Sequence, residues 1–394
     1  MGLHFAVMVY NAYIASISAF LLQLAEMEPA IAKLEEVVML KVVPGVGNGA
    51  TQEDLWHLAD TFGMPQNIRK WSDVSVAARS RVAVLDGIRP EGPLLPTLRE
   101  DLAEACRNTD FHDRYVRFRD WVELAPSAVL DRAVAAMRSK GIDPARVYQD
   151  LRARTEDEAP EEAEGRRQRA RRGLQRRLMT LWRAKTGPEM HFRIRHKLAR
   201  WDIEGRPRQV AEKFSKHILH CRSCTPPRVR AALWNTAWNR WPTACRFQLR
   251  GTASSRCVFG CSPTAEDSIE HYSYCKVIRE AHWRHLAIAP NMHGSLLPAW
   301  LLAEGAATKE VASRMALGVY ATYRSFCTQR HSQTARREDL VDMFGQYVRE
   351  GAMNHPGAEA ALNKIWTRAA PETGREEQQT SRRRRLGVAA PLGR

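Results

Sequence analysis

The residues best suited to chemistry lie in one short stretch, Arg256 to Lys276, which reads RCVFGCSPTAEDSIEHYSYCK. It places Cys257, Cys261, His271 and Cys275 in the order Cys-x3-Cys-x9-His-x3-Cys. Thiolate and imidazole are donors that zinc favours, and four of them complete its tetrahedron. Gly260 lies between the first two cysteines, where a metal-binding loop needs a turn that other residues resist. Thr264 and Asp267 match the Ser/Thr-x-x-Asp/Glu signal of a helix start, with Glu266 also in the first turn. That signal predicts a helix carrying His271 and Cys275 at i and i+4, on one face. A site closed by four protein donors is structural, because a hydrolytic zinc keeps one position for water. The competing reading is four unrelated residues, with His271 hydrogen-bonded at a surface.

A second set lies in KHILHCRSC, which holds His217, His220, Cys221 and Cys224. Cys221-x2-Cys224 is a half-site for a second metal. Four donors from so short a stretch are hard to arrange about one ion, so the alternative is that these residues simply end a helix. Of the eight cysteines only Cys106 and Cys327 lie outside 221–275. A disulfide framework would spread them. Clustering in a long chain with no cleavable signal pattern points to reduced thiols and metal ligands.

The elements that must position these residues read as mainly α. Residues 1–45 suggest two helices ending at Pro44-Gly45, and TQEDLWHLADTFG (51–63) a short helix capped by Thr51 and stopped by Gly63. SAVLDRAVAAMRSKG reads as one helix stopped by Gly141, and three more helices are expected near 307–327, 336–351 and 357–368. Composition shifts sharply between the acidic run TEDEAPEEAE (155–164) and the basic run RRQRARRGLQRR (166–177). Blocks with so little to bury predict a flexible charged linker. Past Gly173, Leu174, Leu178, Leu181 and Trp182 recur at helical spacing with Arg176, Arg177 and Arg183 between them. Those arginines either track phosphate or are simply solvated.

The expected organisation is a helical N-terminal part (1–65), a helical connector (66–150), a disordered charged linker (151–172), a basic helical domain (173–368) stabilised by zinc at 245–285, and a disordered basic tail (369–394). Residues 2–25 carry no Lys, Arg, Asp or Glu, a length that would suit a membrane span. His4, Asn11, Ser16 and Ser18 interrupt it and no positive charge precedes it, so buried helices are expected and a membrane anchor is the alternative.

The formal net charge of +16 points to a polyanionic partner, unless arginine is merely abundant throughout the genome. Arg176, Arg177, Arg193, Arg195, Arg240, Arg246, Arg250 and Arg256 are the candidate contacts to RNA or DNA, joined by Lys197 and Arg200. Such binding is mainly to phosphate and weakens with salt; no base-reading motif is visible. Trp234, Trp238 and Trp241 form one helix stripe, suited either to a core or to base stacking. An acidic protein partner is the competing reading. Nothing suggests a small-molecule substrate. The Arg382–Arg385 tract reads as a nuclear import signal or an ordinary basic tail, so the expected location is nuclear or cytoplasmic.

AALWNTAWNRWPTACRFQ, followed by CVFGC and DSIEHYSYC, resembles the zinc-binding segment at the C-terminal end of reverse transcriptases of non-LTR (LINE-type) retrotransposons. MVYNAYIASISAFLLQLAEMEP resembles the helical thumb of the same family, and VVPGVGNGATQEDLWHLADTFGMP the connection beyond it. The resemblance covers the first 65 residues and about 230–285. It implies Cys257, Cys261, His271 and Cys275 as metal ligands and implies nothing catalytic. The family's polymerase needs paired aspartates for two metal ions, and this sequence has no Asp-Asp. The resemblance therefore implies a non-catalytic thumb-to-zinc remnant without the palm, able to meet an upstream polymerase half in trans. Some relatives add a restriction-like nuclease, which needs two carboxylates and a lysine on a small sheet. Helices are expected after Cys275 instead, with Arg337, Glu338, Asp339 and Asp342 on one of them, so no nuclease is expected.

Overall fold

The computed structural model describes residues 3–15, 29–42, 50–86, 126–153, 160–186, 190–201, 203–249, 256–304, 308–332 and 337–369. The described residues are mostly helical, and their β pairing is limited to an isolated antiparallel bridge between Arg256 and Glu266. Cys106, Arg250, residues 16–25 of the uncharged N-terminal stretch, the first half of the acidic run (155–159) and the Arg382–Arg385 tract lie outside the described residues.

Two apolar cores organise the chain, and they divide it differently from the expected sequential domains. The first joins both ends. Helix α1 (Leu3–Val9) runs into one π-helical turn (Tyr10–Ile14), and is followed by α2 (Pro29–Val42), α3 (Gln52–Trp56) and α4 (Leu58–Phe62). Leu3, Val7, Tyr10, Leu55 and Phe62 of these helices share one core with residues from Met190 to Leu362. The N-terminal part is thus not a separate unit. Leu3, Val7, Tyr10 and Met39 are covered by the chain itself, while Phe5, Met8, Tyr13, Ile31, Leu34 and Val37 remain exposed, and no described helix is long and apolar enough to cross a membrane.

Local chemistry fixes this join. Thr51 and Asp54 form a capping box, with the Thr51 amide donating to Asp54 Oδ2 at 2.8 Å. The same buried carboxylate receives Arg193 Nε at 2.7 Å and Nη2 at 2.8 Å, while Arg193 Nη1 reaches Glu53 at 3.0 Å. Arg193 belongs to α9 (Met190–Leu198), so one fork-to-carboxylate pair ties the N-terminal helices to the later domain.

The second core gathers α5 (Trp71–Asp86), α6 (Pro126–Ser139), α7 (Pro144–Arg152) and α8 (Pro160–Thr186) around Ala77, Met137, Ile142, Tyr148, Ala170, Leu174 and Leu178. This corrects the linker expected at 151–172. The basic run is helical from Pro160, because Ala170 begins the same apolar stripe that Leu174 and Leu178 continue. The two ends of this unit meet. Trp182 Nε1 donates to Asp73 Oδ1 at 3.0 Å, and Arg183 pairs with Asp73 at 3.7 Å and reaches the Ile68 carbonyl at 3.4 Å.

The first core continues through α10 (Pro207–His220), a 3-10 turn (Cys221–Ser223), α11 (Pro227–Ala237), α12 (Ile269–Tyr274), α13 (Lys276–Leu286) and α14 (Leu297–Trp300). It closes with α15 (Lys309–Ser332), α16 (Arg337–Ala352) and α17 (Pro356–Ala369), which match the three helices read from the sequence. α16 carries Glu338, Asp339 and Asp342, so those acids lie on a helix as expected. α13 and α15 approach so closely at Gly318 that a Cβ there would stand 2.6 Å from His282 Nε2.

His282 is fully buried. Its Nδ1 bonds the Ile278 carbonyl at 3.0 Å and its Nε2 accepts from Trp300 Nε1 at 3.0 Å, an arrangement that needs the neutral ring. Burial lowers its pKa to about 4. The unfolded ring takes up a proton near its ordinary pKa and the folded ring does not, so stability falls as pH drops from about 6.5 towards 4. This group alone contributes a loss of about 3 kcal/mol across that window. Urea unfolding at stepped pH should show a shallower fall for His282→Asn than for the unaltered chain.

Candidate metal centre

The segment from Cys257 folds around a short hairpin-like loop. The Cys257 amide donates to the Ala265 carbonyl at 2.7 Å, beside the Arg256–Glu266 bridge, and the Gly260 amide donates to Cys257 at 3.0 Å. Gly260 has φ +59, the left-handed conformation the loop was expected to need. Cys257 and Cys261 therefore turn towards each other from either side of that glycine.

The second pair comes from α12, but its start differs from the expected one. The N-cap is Ser268, whose hydroxyl accepts the His271 amide at 3.0 Å; Thr264 is exposed and caps nothing. Asp267 is taken by other work. Its Oδ2 accepts the Ala244 amide at 2.7 Å, its Oδ1 accepts the Tyr272 hydroxyl, and its carbonyl accepts the Cys245 amide at 3.1 Å. Cys275 has ψ 125 and forms the break between α12 and α13. His271 and Cys275 thus meet one turn apart across a helix end, rather than within one continuous helix.

Together these turns bring the four donor atoms of Cys257, Cys261, His271 and Cys275 within 4.8 Å of one another. Cys261 Sγ lies 3.1 Å from His271 Nε2. A tetrahedral site with metal–sulfur bonds of about 2.3 Å has donor–donor edges of about 3.8 Å, so the cluster could hold a metal ion with small side-chain shifts. Cys257 and Cys275 are buried, and Cys261 and His271 half-buried.

Electrostatics favours the same use. The Cys257 thiol bonds the Cys275 sulfur, which holds Cys275 below the usual thiol range, assisted by His271. As donor in that bond, and through burial, Cys257 is raised. Burial and the neighbouring Cys275 raise Cys261 as well. A cation among the sulfurs would offset the repulsion that further thiolates meet there.

The second proposed half-site gathers no such set. Cys221 lies 3.9 Å from the Ala312 carbonyl, Cys224 lies 3.4 Å from the His220 carbonyl, and His217 Nδ1 is engaged with Leu302 O at 2.8 Å. Among the described residues, the only group of three or more metal-type donors this close is the 257–275 cluster. Cys221 and Cys224 close the end of α10 against α15.

The candidate nucleic-acid contacts scatter. Arg240 is 5% exposed and stacks over Trp234 at 4.8 Å, so it faces the core and not a solvent groove. Arg193 is held by Asp54 and Glu53. Arg195 is half-buried over Phe192, Arg246 half-buried, and Arg256 exposed. Arg176 and Arg177 are exposed on α8. Trp234, Trp238 and Trp241 are buried, which settles the tryptophan stripe as core. Reading 151–172 as linker concealed one set: Arg169 and Arg172 precede Arg176 at helical spacing on the outer face of α8, and all three are exposed.

A Cβ at Gly260 would meet nothing within 4 Å, so space is not its constraint. Gly260→Ala should lower stability by about 1 kcal/mol through its left-handed φ alone, and Gly260→Asn by less. Paired urea titrations of the two variants check this order.

Comparison of the chain with protein-family models, with curated proteins and with solved structures finds no match.

Proposed function

We propose that the chain is a non-catalytic, zinc-stabilised nucleic-acid-binding protein, derived from the C-terminal region of a LINE-type reverse transcriptase. One observation chiefly carries the binding role. Arg169, Arg172 and Arg176 stand at i, i+3 and i+7 on α8, exposed, and no carboxylate among the described residues pairs with them. A row of open guanidinium groups on a chain of net charge +16 suits the regular phosphates of RNA or DNA. A phosphate-contacting role asks for no paired aspartates of the kind a two-metal polymerase uses, and these residues hold none.

Three cysteines and one histidine are a soft, closed donor set, so zinc is the ion we assign to the centre and its role is structural. Purified chain should carry one equivalent of zinc by atomic absorption. Chelation, or Cys261→Ser, should lower the unfolding free energy by about 3 kcal/mol or more. A zinc-free chain of unchanged stability would remove the metal from the proposal.

Binding to labelled single-stranded RNA and duplex DNA across a salt series tests the function. The logarithm of affinity should fall linearly with the logarithm of salt, and Arg172→Gln with Arg176→Gln should reduce that slope by about 2. No binding at low salt would move the role to interaction with acidic protein.

A further inference from the structure

Cys221 and Cys224 gather no further metal donors, yet the fold sets their two sulfurs side by side. Cys221 opens the 3-10 turn that ends α10, and the Cys224 amide donates to the Cys221 carbonyl at 3.2 Å. A turn closed in this way holds its end Cα atoms within about 7 Å, and a disulfide spans about 4.4 to 6.8 Å. The side chains point the same way. Cys221 Sγ lies 3.9 Å from the Ala312 carbonyl, and Cys224 Sγ lies 3.5 Å from the Lys309 carbonyl. Those carbonyls belong to the first turn of α15, so both sulfurs lie against one helix end.

The backbone beneath them is fixed. The Cys221 carbonyl also accepts from the Thr225 amide at 2.9 Å, the Thr225 hydroxyl at 2.8 Å and Arg230 Nη1 at 3.3 Å. Ser313 of α15 donates to the Cys224 carbonyl at 2.9 Å. Gly357 of α17 packs so closely that a Cβ there would stand 3.0 Å from the Cys224 Cα. A bond between the sulfurs therefore asks for side-chain rotation, not for movement of the chain. The two thiols differ in reach: Cys224 is 5% exposed and Cys221 not at all. They differ in acidity as well. The Cys221 thiol bonds the Cys224 sulfur, which lowers Cys224 against its burial, with Lys309 and Arg230 adding their charge. The same bond, and burial, raise Cys221. Cys224 is thus the nucleophile and Cys221 the thiol held behind it.

We propose that Cys221 and Cys224 are a peroxide-reactive dithiol that closes reversibly into a disulfide. The narrow exposure of Cys224 selects an oxidant near the size of water, and hydrogen peroxide is of that class. The Cys224 thiolate attacks one peroxide oxygen; the O–O bond breaks, hydroxide leaves and takes a proton to become water, and Cys224 becomes a sulfenic acid. The Cys221 sulfur then attacks the Cys224 sulfur. Its proton goes to the departing hydroxyl, a second water leaves, and the S–S bond forms. In total two thiols lose two electrons and two protons, and one peroxide becomes two waters. A small dithiol such as dithiothreitol restores both thiols by exchange. Neither the metal centre nor the nucleic-acid reading enters this step.

The test treats the folded full chain with a small excess of hydrogen peroxide, alkylates the remaining thiols in urea, and digests with trypsin without reductant. Cleavage after Lys216, Arg222 and Arg228 puts Cys221 in peptide 217–222 and Cys224 in peptide 223–228. Mass spectrometry should find the two joined and two hydrogens lighter than their sum, and separate again after dithiothreitol. Oxidised glutathione, too bulky for the opening, should join them at least about tenfold more slowly. In Cys221→Ser, Cys224 should stop at a sulfenic acid that dimedone labels; in Cys224→Ser, Cys221 should stay a thiol. The unaltered chain decides the matter even if a variant fails to fold. Separate peptides after the exposed Cys245 has been oxidised overturn the proposal. A link that forms only when peroxide is added in urea overturns it too, as does Cys224 running on to an unlinked sulfinic acid. Glutathione that matches peroxide in rate overturns the choice of oxidant.

Discussion

Everything in the larger core converges on the packing around Trp241. This side chain has no exposure and lies 5.2 to 6.2 Å, centroid to centroid, from Tyr272, Trp300, Tyr323 and Phe326. Tyr272 in turn meets Phe259 and His271 of the metal module, and its hydroxyl bonds Asp267. Phe62 from the N-terminal helices stacks edge-on to Trp238 at 4.8 Å. Large rings with directional preferences hold neighbours in orientation as well as in contact. The aromatic cluster therefore links the N-terminal helices, the metal loop and the long helix α15 into one body.

The metal module stands on this body at two points, Tyr272 and Asp267. Asp267 is buried, and burial raises its pKa against the hydrogen bonds that hold it down. It accepts from the Tyr272 hydroxyl and from the amides of Ala244 and Cys245, so it joins α12 to the loop that follows α11. Phe259, Ile269 and Tyr272 bury the module's apolar side in the larger core. The donor atoms of Cys257, Cys261, His271 and Cys275 lie within 4.8 Å of one another, and an ion held by them would tie the loop to α12 a second time.

Much of this was legible in the residues. Thr51 and Gly63 marked the ends of a short helical stretch because capping chemistry and positive φ are local properties. The metal set was legible for the same reason, since donor type and spacing travel with the chain. The cap at Ser268 was not, because Thr264-x-x-Asp267 carries an equally good local signal and the choice fell to a distant partner, the Ala244 amide. The fate of Arg193 and Arg240 depended on Asp54 and Trp234, far along the chain, and no spacing rule reports such pairs. The basic run was misread because its apolar positions are sparse; Ala170 is a small residue, and only contact with α5 and α7 shows that it is buried.

The shared core also sets an order in time. Ribosomal synthesis delivers α1 to α4 long before α9 to α11, which cover Leu55, Leu58 and Phe62. The unit from α5 to α8 is complete first and can close its own small core, although Trp182 meets Asp73 across a separation of 109 residues. The N-terminal helices must meanwhile wait with their apolar faces open. Their wait ends when Arg193 emerges for Asp54, and the early closure of Trp182 and Arg183 on Asp73 shortens the search by bringing that later segment back beside Ile68.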